Sequence, residues 1–91
     1  MVTAIVFVSA DVAQIPEAAT AIADLDGVTE VYSVTGEIDL VVMIRVGELD
    51  DVATVVTEHV DKVPGVLSTE THVAFRTYSR HDLEQAFSIG L

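Results

Sequence analysis

Two segments of this chain are apolar on both alternating faces, and this constrains the fold more than any other feature. In Val2–Val8, the residues Val2, Ala4, Val6 and Val8 share one face, and Ile5 and Phe7 share the other. In Asp39–Val46, Leu40, Val42, Ile44 and Val46 oppose Val41 and Met43. Side chains alternate across a strand, so a strand with one wet face shows a polar residue at every second position. These two need cover on both faces. With 91 residues the chain makes one domain, and a domain of this size buries only about two-thirds of its unfolded surface. Yet 51% of its residues are apolar, 17 of them Val. The excess predicts an oligomer.

The remaining elements arrange themselves around the two strands. Asp11–Ile15 connects to a helix opened by Pro16, whose missing N–H costs nothing in a first turn. Ile15, Ala18, Ala19, Ile22 and Leu25 recur at helical spacing. Asp26-Gly27 stops that helix, and Val28–Val34 follows as a strand mixed with Thr29, Glu30 and Ser33. The short loop Thr35-Gly36-Glu37-Ile38 turns it into Asp39–Val46 as a hairpin. A second helix spans Glu48 to Val63, with Leu49, Val52, Val56, Val60 and Val63 as its apolar stripe and Ala53 at the margin. Pro64-Gly65 ends it, and Val66–Tyr78 contains a fourth, partly polar strand. Ser79-Arg80-His81-Asp82 reads as an N-cap with an acidic N3 residue. Leu83, Ala86 and Phe87 then give a short C-terminal helix.

The order is β-α-β-β-α-β-α. Leu25-Asp26-Gly27-Val28 is echoed by Val63-Pro64-Gly65-Val66, so each half is a strand, a helix and a Gly-Val re-entry into the sheet. Two such right-handed units sharing a sheet predict an α+β, ferredoxin-like βαββαβ sandwich. In that topology strands one and three are central, and these are the apolar ones. Two helices cover one sheet face, and the apolar residues of the other face predict a second copy packed sheet to sheet about a two-fold axis. Burying about 400 Å² more apolar surface per subunit adds roughly 10 kcal/mol before entropy losses.

The charge excludes several functions. Fifteen acids oppose Arg45, Lys62, Arg76 and Arg80, a net charge of -11. Nucleic-acid binding needs clustered Lys and Arg, and anionic membranes need the same. The longest apolar runs, Ala4–Val8 and Leu40–Ile44, are five residues, far short of the roughly 20 of a membrane-spanning helix. The first basic residue is Arg45, whereas a secretory leader opens on a basic region. There is no cysteine for disulfides, thiolate metal sites or nucleophiles. The expected compartment is the cytoplasm.

Little else points to chemistry. His59, His72 and His81 show no zinc-ligand spacing. Glu70 and His72 share a strand face and read as an edge pair facing solvent or a subunit contact. Asp39 opens the most apolar strand and is the best general acid–base candidate, with Met43 and Arg45 on its face. The plainer reading is a hairpin-end carboxylate that accepts backbone N–H bonds. Ser79 with His81 reads as a helix start, not a nucleophile pair. The Gly36 loop lacks the Gly-rich run and Lys of a phosphate loop. Asp50, Asp51, Glu58 and Asp61 form a solvated helix face. No metal and no cofactor are expected.

One constellation goes beyond periodicity. Val34-Thr35-Gly36-Glu37-Ile38-Asp39-Leu40 is followed by an apolar strand, a helix, and Val63-Pro64-Gly65-Val66-Leu67-Ser68-Thr69-Glu70-Thr71. Residues 1–78 thereby resemble the effector-binding (RAM) domain of the Lrp/AsnC regulators, with 79–91 as a C-terminal helical extension. The resemblance implies dimers formed sheet to sheet, further assembly, and binding of a small-molecule effector, usually an amino acid, near dimer–dimer contacts. Because Met1 leads directly into strand one, the chain is similar to stand-alone members without the helix-turn-helix part. That implies action through a full-length Lrp/AsnC regulator rather than direct DNA contact. Carried over by position, the effector loop is Gly36, Glu37, Ile38 and Asp39, and strand four contributes Thr69 and Thr71. Backbone N–H groups and Thr hydroxyls suit a carboxylate, and Asp39 suits an ammonium group. The expectation is an amino-acid-sensing module and not an enzyme. The alternative is a dimeric α+β-barrel enzyme, a small monooxygenase or isomerase, which shares the topology but needs a polar pocket between helices and sheet.

Overall fold

A computed structural model describes residues 1–80. The four strands are β1 (Val2–Ala10), β2 (Val28–Ser33), β3 (Leu40–Val46) and β4 (Val66–Val73), and the two α-helices are α1 (Ile15–Ala23) and α2 (Leu49–Thr54). The strands form one antiparallel sheet in the order β2-β3-β1-β4. The two strands that are apolar on both faces are therefore central, as their composition requires. The expected C-terminal helix, with Leu83, Ala86 and Phe87, lies outside the described residues.

Register decides which face meets the helices. Ala4 pairs with Ile44, Val6 with Val42 and Val8 with Leu40, and all six are fully buried. Ala18 and Ile22 of α1 and Val52 of α2 join them in the core, with Ile15, Ala19 and Leu25 packed at its edge. No polar side chain among the described residues is buried. On the opposite face Ile5 pairs with Met43 and Phe7 with Val41, and these four are half-buried, with no element among the described residues covering them.

The second helical stretch departs from the expected regular helix. After α2 it widens into a π turn over Val55–His59 and tightens into a 3-10 turn over Val60–Lys62. The Val60 N–H donates to the carbonyls of Val55 and Val56. The extra residue in that turn points Val55, Val56 and Val60 all inward, and all three are buried. Leu49, assigned to the stripe by 3.6-residue periodicity, is instead 59% exposed. Its turn is the helix entrance, closed by the Glu48 N–H donating to the Asp51 carboxylate at 3.1 Å.

The echoed tetrapeptides form the same turn twice. Val28 N–H donates to Leu25 O at 3.2 Å, and Val66 N–H to Val63 O at 3.1 Å. Gly27 and Gly65 sit at φ 90° and 95°, the third position of a type II turn, which favours glycine. Each turn feeds the chain from a helix back into an edge strand.

Candidate functional site

The β2–β3 loop is anchored at both ends and open in the middle. Val34 N–H donates to Asp39 O at 3.1 Å, and Asp39 N–H donates to Val8 O at 2.9 Å. Between these bonds the backbone N–H groups of Thr35, Gly36, Glu37 and Ile38 bond to nothing among the described residues. Gly36 and Glu37 are exposed, while Ile38 and Asp39 are half-buried. Gly36 has φ 113° and no neighbour within 4 Å of where a Cβ would lie.

Asp39 occupies the position that the plainer reading describes. Its Oδ2 accepts the Ala10 N–H at 2.7 Å. Ala10 lies where β1 breaks regular register with β4, between Ser9 and Ala10, so the carboxylate supplies an acceptor at the frayed end of the central strand. An ionised carboxylate has about four lone-pair sites, which leaves capacity beyond this bond. Its acid–base candidacy gains no supporting partner: the described bond is to a backbone amide.

Thr69 and Thr71 share one face, as their spacing requires, and it is the helix-side face. They pair with Val8 and Val6, whose side chains lie in the core. The Thr69 hydroxyl donates to the Asp61 carboxylate at 2.8 Å, tying β4 to the 3-10 turn, whereas Thr71 is exposed. Val8 stands between Thr69 on one side and Leu40 on the other. Two strand spacings separate these neighbours, about 10 Å. The fold thus brings the loop and the β4 threonines to one end of the sheet without bringing them into contact.

The open face carries polar groups around its apolar centre. The Glu70 carboxylate lies 3.0 Å from His72 Nε2, and the His72 ring tilts against Phe7 with centroids 5.1 Å apart. On the other edge, the Tyr32 hydroxyl donates to Glu30. That bond holds the phenol pKa above its ordinary value, and desolvation and the Glu30 charge act in the same direction. Residue by residue reading missed a depression of about 360 Å³ at the far end of this face, lined by Thr3, Thr29, Glu30, Met43 and Arg45. The available signal was the shared parity of Met43 and Arg45; pairing them with Thr3 and with Glu30 across neighbouring strands required the register. Among the described residues no group of His, Asp and Glu side chains is placed to hold a metal ion. No helix among them is long and apolar enough to cross a membrane.

The chain is similar to known proteins over nearly this whole arrangement. Residues 3–83 match the Lrp/AsnC ligand binding domain. The crystal structure of TTHA0845 from Thermus thermophilus superposes with a TM-score of 0.83 at 41% identity, covering 88% of this chain and 100% of that one. An uncharacterised HTH-type transcriptional regulator of Pyrococcus furiosus is 38% identical over 61 residues, 67% of this chain. The matched part spans only 41% of that regulator's length. A Neisseria meningitidis transcriptional regulator in complex with L-Met shares the fold, with a TM-score of 0.77 at 17% identity, covering 87% of this chain and 53% of its own. The match over residues 3–83, nearly the whole described fold, places the chain in the Lrp/AsnC ligand-binding-domain family.

Proposed function

We propose that this chain is a non-enzymatic, oligomeric module that senses a small amino acid or a related metabolite and acts by co-assembling with a full-length Lrp/AsnC regulator. The observation that carries the reading is the β2–β3 loop, where four consecutive backbone N–H groups have no partner among the described residues. Such groups hold a carboxylate well. Glu37 and Asp39 beside them suit the ammonium group of the same ligand, and the exposed Thr71 hydroxyl offers a further contact. The L-Met complex of the Neisseria regulator supports an amino acid as the ligand class.

One subunit leaves this site incomplete, because a strand of β1 lies between the loop and the β4 threonines. Assembly completes it. The face built on Ile5, Phe7, Val41 and Met43, which no element among the described residues covers, favours pairing with a second copy, sheet to sheet. The competing reading, an α+β-barrel enzyme, needs acid–base groups between helices and sheet. That space is packed with aliphatic side chains and contains no buried polar one among the described residues, which favours the sensor. The expected place of action is the cytoplasm.

A thermal-shift screen across the amino acids tests the proposal. A ligand at 100 times its Kd stabilises by about 2.7 kcal/mol. Thr71→Val, which alters an exposed side chain, is expected to diminish the response without lowering the unliganded Tm. No shift with any amino acid at millimolar concentration sinks the sensor reading. Sedimentation of a monomer at micromolar concentration sinks the pairing.

A further inference from the structure

Arg45 is anomalous in so acidic a chain. Fifteen Asp and Glu are available to four Lys and Arg, yet the Arg45 guanidinium has no ion pair and no side-chain hydrogen bond among the described residues. An acid lies within reach. Glu30 pairs with Met43 on the neighbouring strand, and Arg45 follows Met43 by two residues on the same face. One strand across and two residues along put the Cα atoms of Glu30 and Arg45 about 8 Å apart, close enough for two such long side chains to meet. Tyr32 holds Glu30 the other way. Its hydroxyl donates to the Glu30 carboxylate, and Tyr32 pairs with Val41, on the side of Glu30 away from Arg45. The face therefore keeps one anion and one cation apart.

The space between the two charges is the depression of about 360 Å³, whose lining Thr3, Thr29 and Met43 complete. That volume is at the small end of the roughly 300–1,000 Å³ of small-molecule sites. A bulge shapes its β2 wall. Between Val28 and Glu30, β2 advances two residues while β3 moves one, from Ile44 to Met43, and such an extra residue re-aims the side chains beside it. The Thr29 hydroxyl donates to the Met43 carbonyl at 3.3 Å, which leaves its oxygen free to accept. Thr3 is half-buried and pairs with Arg45, so its hydroxyl stands beside the guanidinium. Each wall has its own chemistry. A guanidinium fork matches a carboxylate, the second oxygen of Glu30 suits an ammonium group, and the half-buried Met43 thioether suits an aliphatic chain. An α-amino acid carries all three complements in one small molecule. The recess is remote from the Gly36 loop. Asp39 is bonded to Val8, and about 17 Å of β1 separates Val8 from Thr3.

We propose that this recess is a second site, separate from the Gly36 loop, for a free α-amino acid with an aliphatic side chain. Arg45 and the Thr3 hydroxyl hold its carboxylate, Glu30 and the Thr29 oxygen hold its ammonium group, and its side chain lies on Met43. The site stands on its own lining and does not depend on the loop. A ligand with only one of the two charges leaves either Arg45 or Glu30 unmatched, so the matching acid and the matching amine bind less tightly than the zwitterion.

The full-length, isotope-labelled chain is titrated with L-leucine and followed by NMR. Isocaproate and isopentylamine, which are leucine without its ammonium group and without its carboxylate, are titrated in parallel. Leucine is expected to shift the amides of Thr29, Glu30 and Arg45 and the Arg45 Nε–H. Arg45→Gln and Glu30→Gln change exposed side chains, and the second keeps an acceptor for Tyr32. Each is expected to weaken leucine about tenfold or more. Arg45→Gln is expected to leave isopentylamine no weaker and Glu30→Gln to leave isocaproate no weaker, a pattern that a merely structural role does not produce. Leucine shifts confined to Gly36–Asp39 overturn this site and leave the loop site standing. No shift at the recess up to millimolar leucine overturns it as well. Either analogue binding as tightly as leucine overturns the zwitterion assignment. Recess resonances that move with protein concentration and not with leucine mark a contact between copies, and they overturn the proposal too.

Discussion

The Asp39 carboxylate is the sharpest place to test the structural reasoning, because the same residue is claimed by both the fold and the proposed ligand site. Its Oδ2 accepts the Ala10 N–H at 2.7 Å, and Ala10 is only 4% exposed. Asp39→Ala deletes that acceptor and leaves a backbone donor with little access to water. An unsatisfied buried donor costs about 1–3 kcal/mol. A charged acceptor belongs near the middle or top of that range, so about 2 kcal/mol is expected. In a domain of this size each kcal/mol moves the Tm by roughly 4–8 °C, which gives a fall of roughly 8–16 °C. Asp39→Asn retains a neutral oxygen acceptor, about half as strong as a charged one, and is expected to lose only about half as much. Differential scanning calorimetry at fixed protein concentration reads both, and amide exchange at Ala10 accelerates in the order wild type, Asn, Ala. An Asp39→Ala Tm within about 2 °C of wild type refutes the bond's role, since roughly 0.5 kcal/mol or less is then at stake. The result also governs how ligand experiments are read. A lost ligand response in Asp39→Ala reflects a loosened loop as readily as a lost ligand contact, and Thr71→Val is the cleaner probe.

Other expectations follow from burial and backbone geometry. Leu40→Ala empties a fully buried position and is expected to cost about 2–5 kcal/mol in denaturant titration, against about 0.5 kcal/mol or less for an exposed substitution. Gly27→Ala places a Cβ 3.0 Å from Val46 Cγ1 and 3.1 Å from Val55 Cγ2 at φ 90°, whereas at Gly36 the same change meets open space. Both carry the roughly 1–2 kcal/mol left-handed penalty, so Gly27→Ala is expected to be the more destabilising of the two by chemical denaturation. The Tyr32 phenol is held neutral by Glu30, so its ultraviolet titration midpoint lies above the ordinary value and falls in Glu30→Gln. Because the folded state retains that proton longer than the unfolded chain, the bond's contribution to stability is complete below the ordinary tyrosine pKa of about 10 and is lost as pH rises through the folded value.

What the sequence determined by itself was whatever its local chemistry repeats. The two-faced apolar strands named the centre of the sheet, because alternation leaves Ile5, Phe7, Val41 and Met43 nowhere polar to point. The stripe from Ala18 to Ile22 and the Gly27 and Gly65 turns named the re-entries, because a left-handed position after a helix favours glycine. The Gly36 loop and the Asp39 hairpin end were legible for the same reason. Tertiary structure alone decided the rest. Periodicity at 3.6 residues per turn put Leu49 in the apolar stripe and left Val55 out of it; Leu49 lies exposed at the helix entrance, and the π turn brings Val55 inward, since a backbone hydrogen-bond shift leaves no mark in a hydropathy pattern. Parity put Thr69 and Thr71 on one face, but only their pairing with Val8 and Val6 showed that the face is the helix side and that β1 separates them from the loop. The depression at Thr3, Thr29, Glu30, Met43 and Arg45 draws on three strands, and residues up to 42 positions apart become neighbours only when register is set. Local sequence encodes the direction of a side chain along its own strand. Which strand lies next to it is a property of the whole sheet.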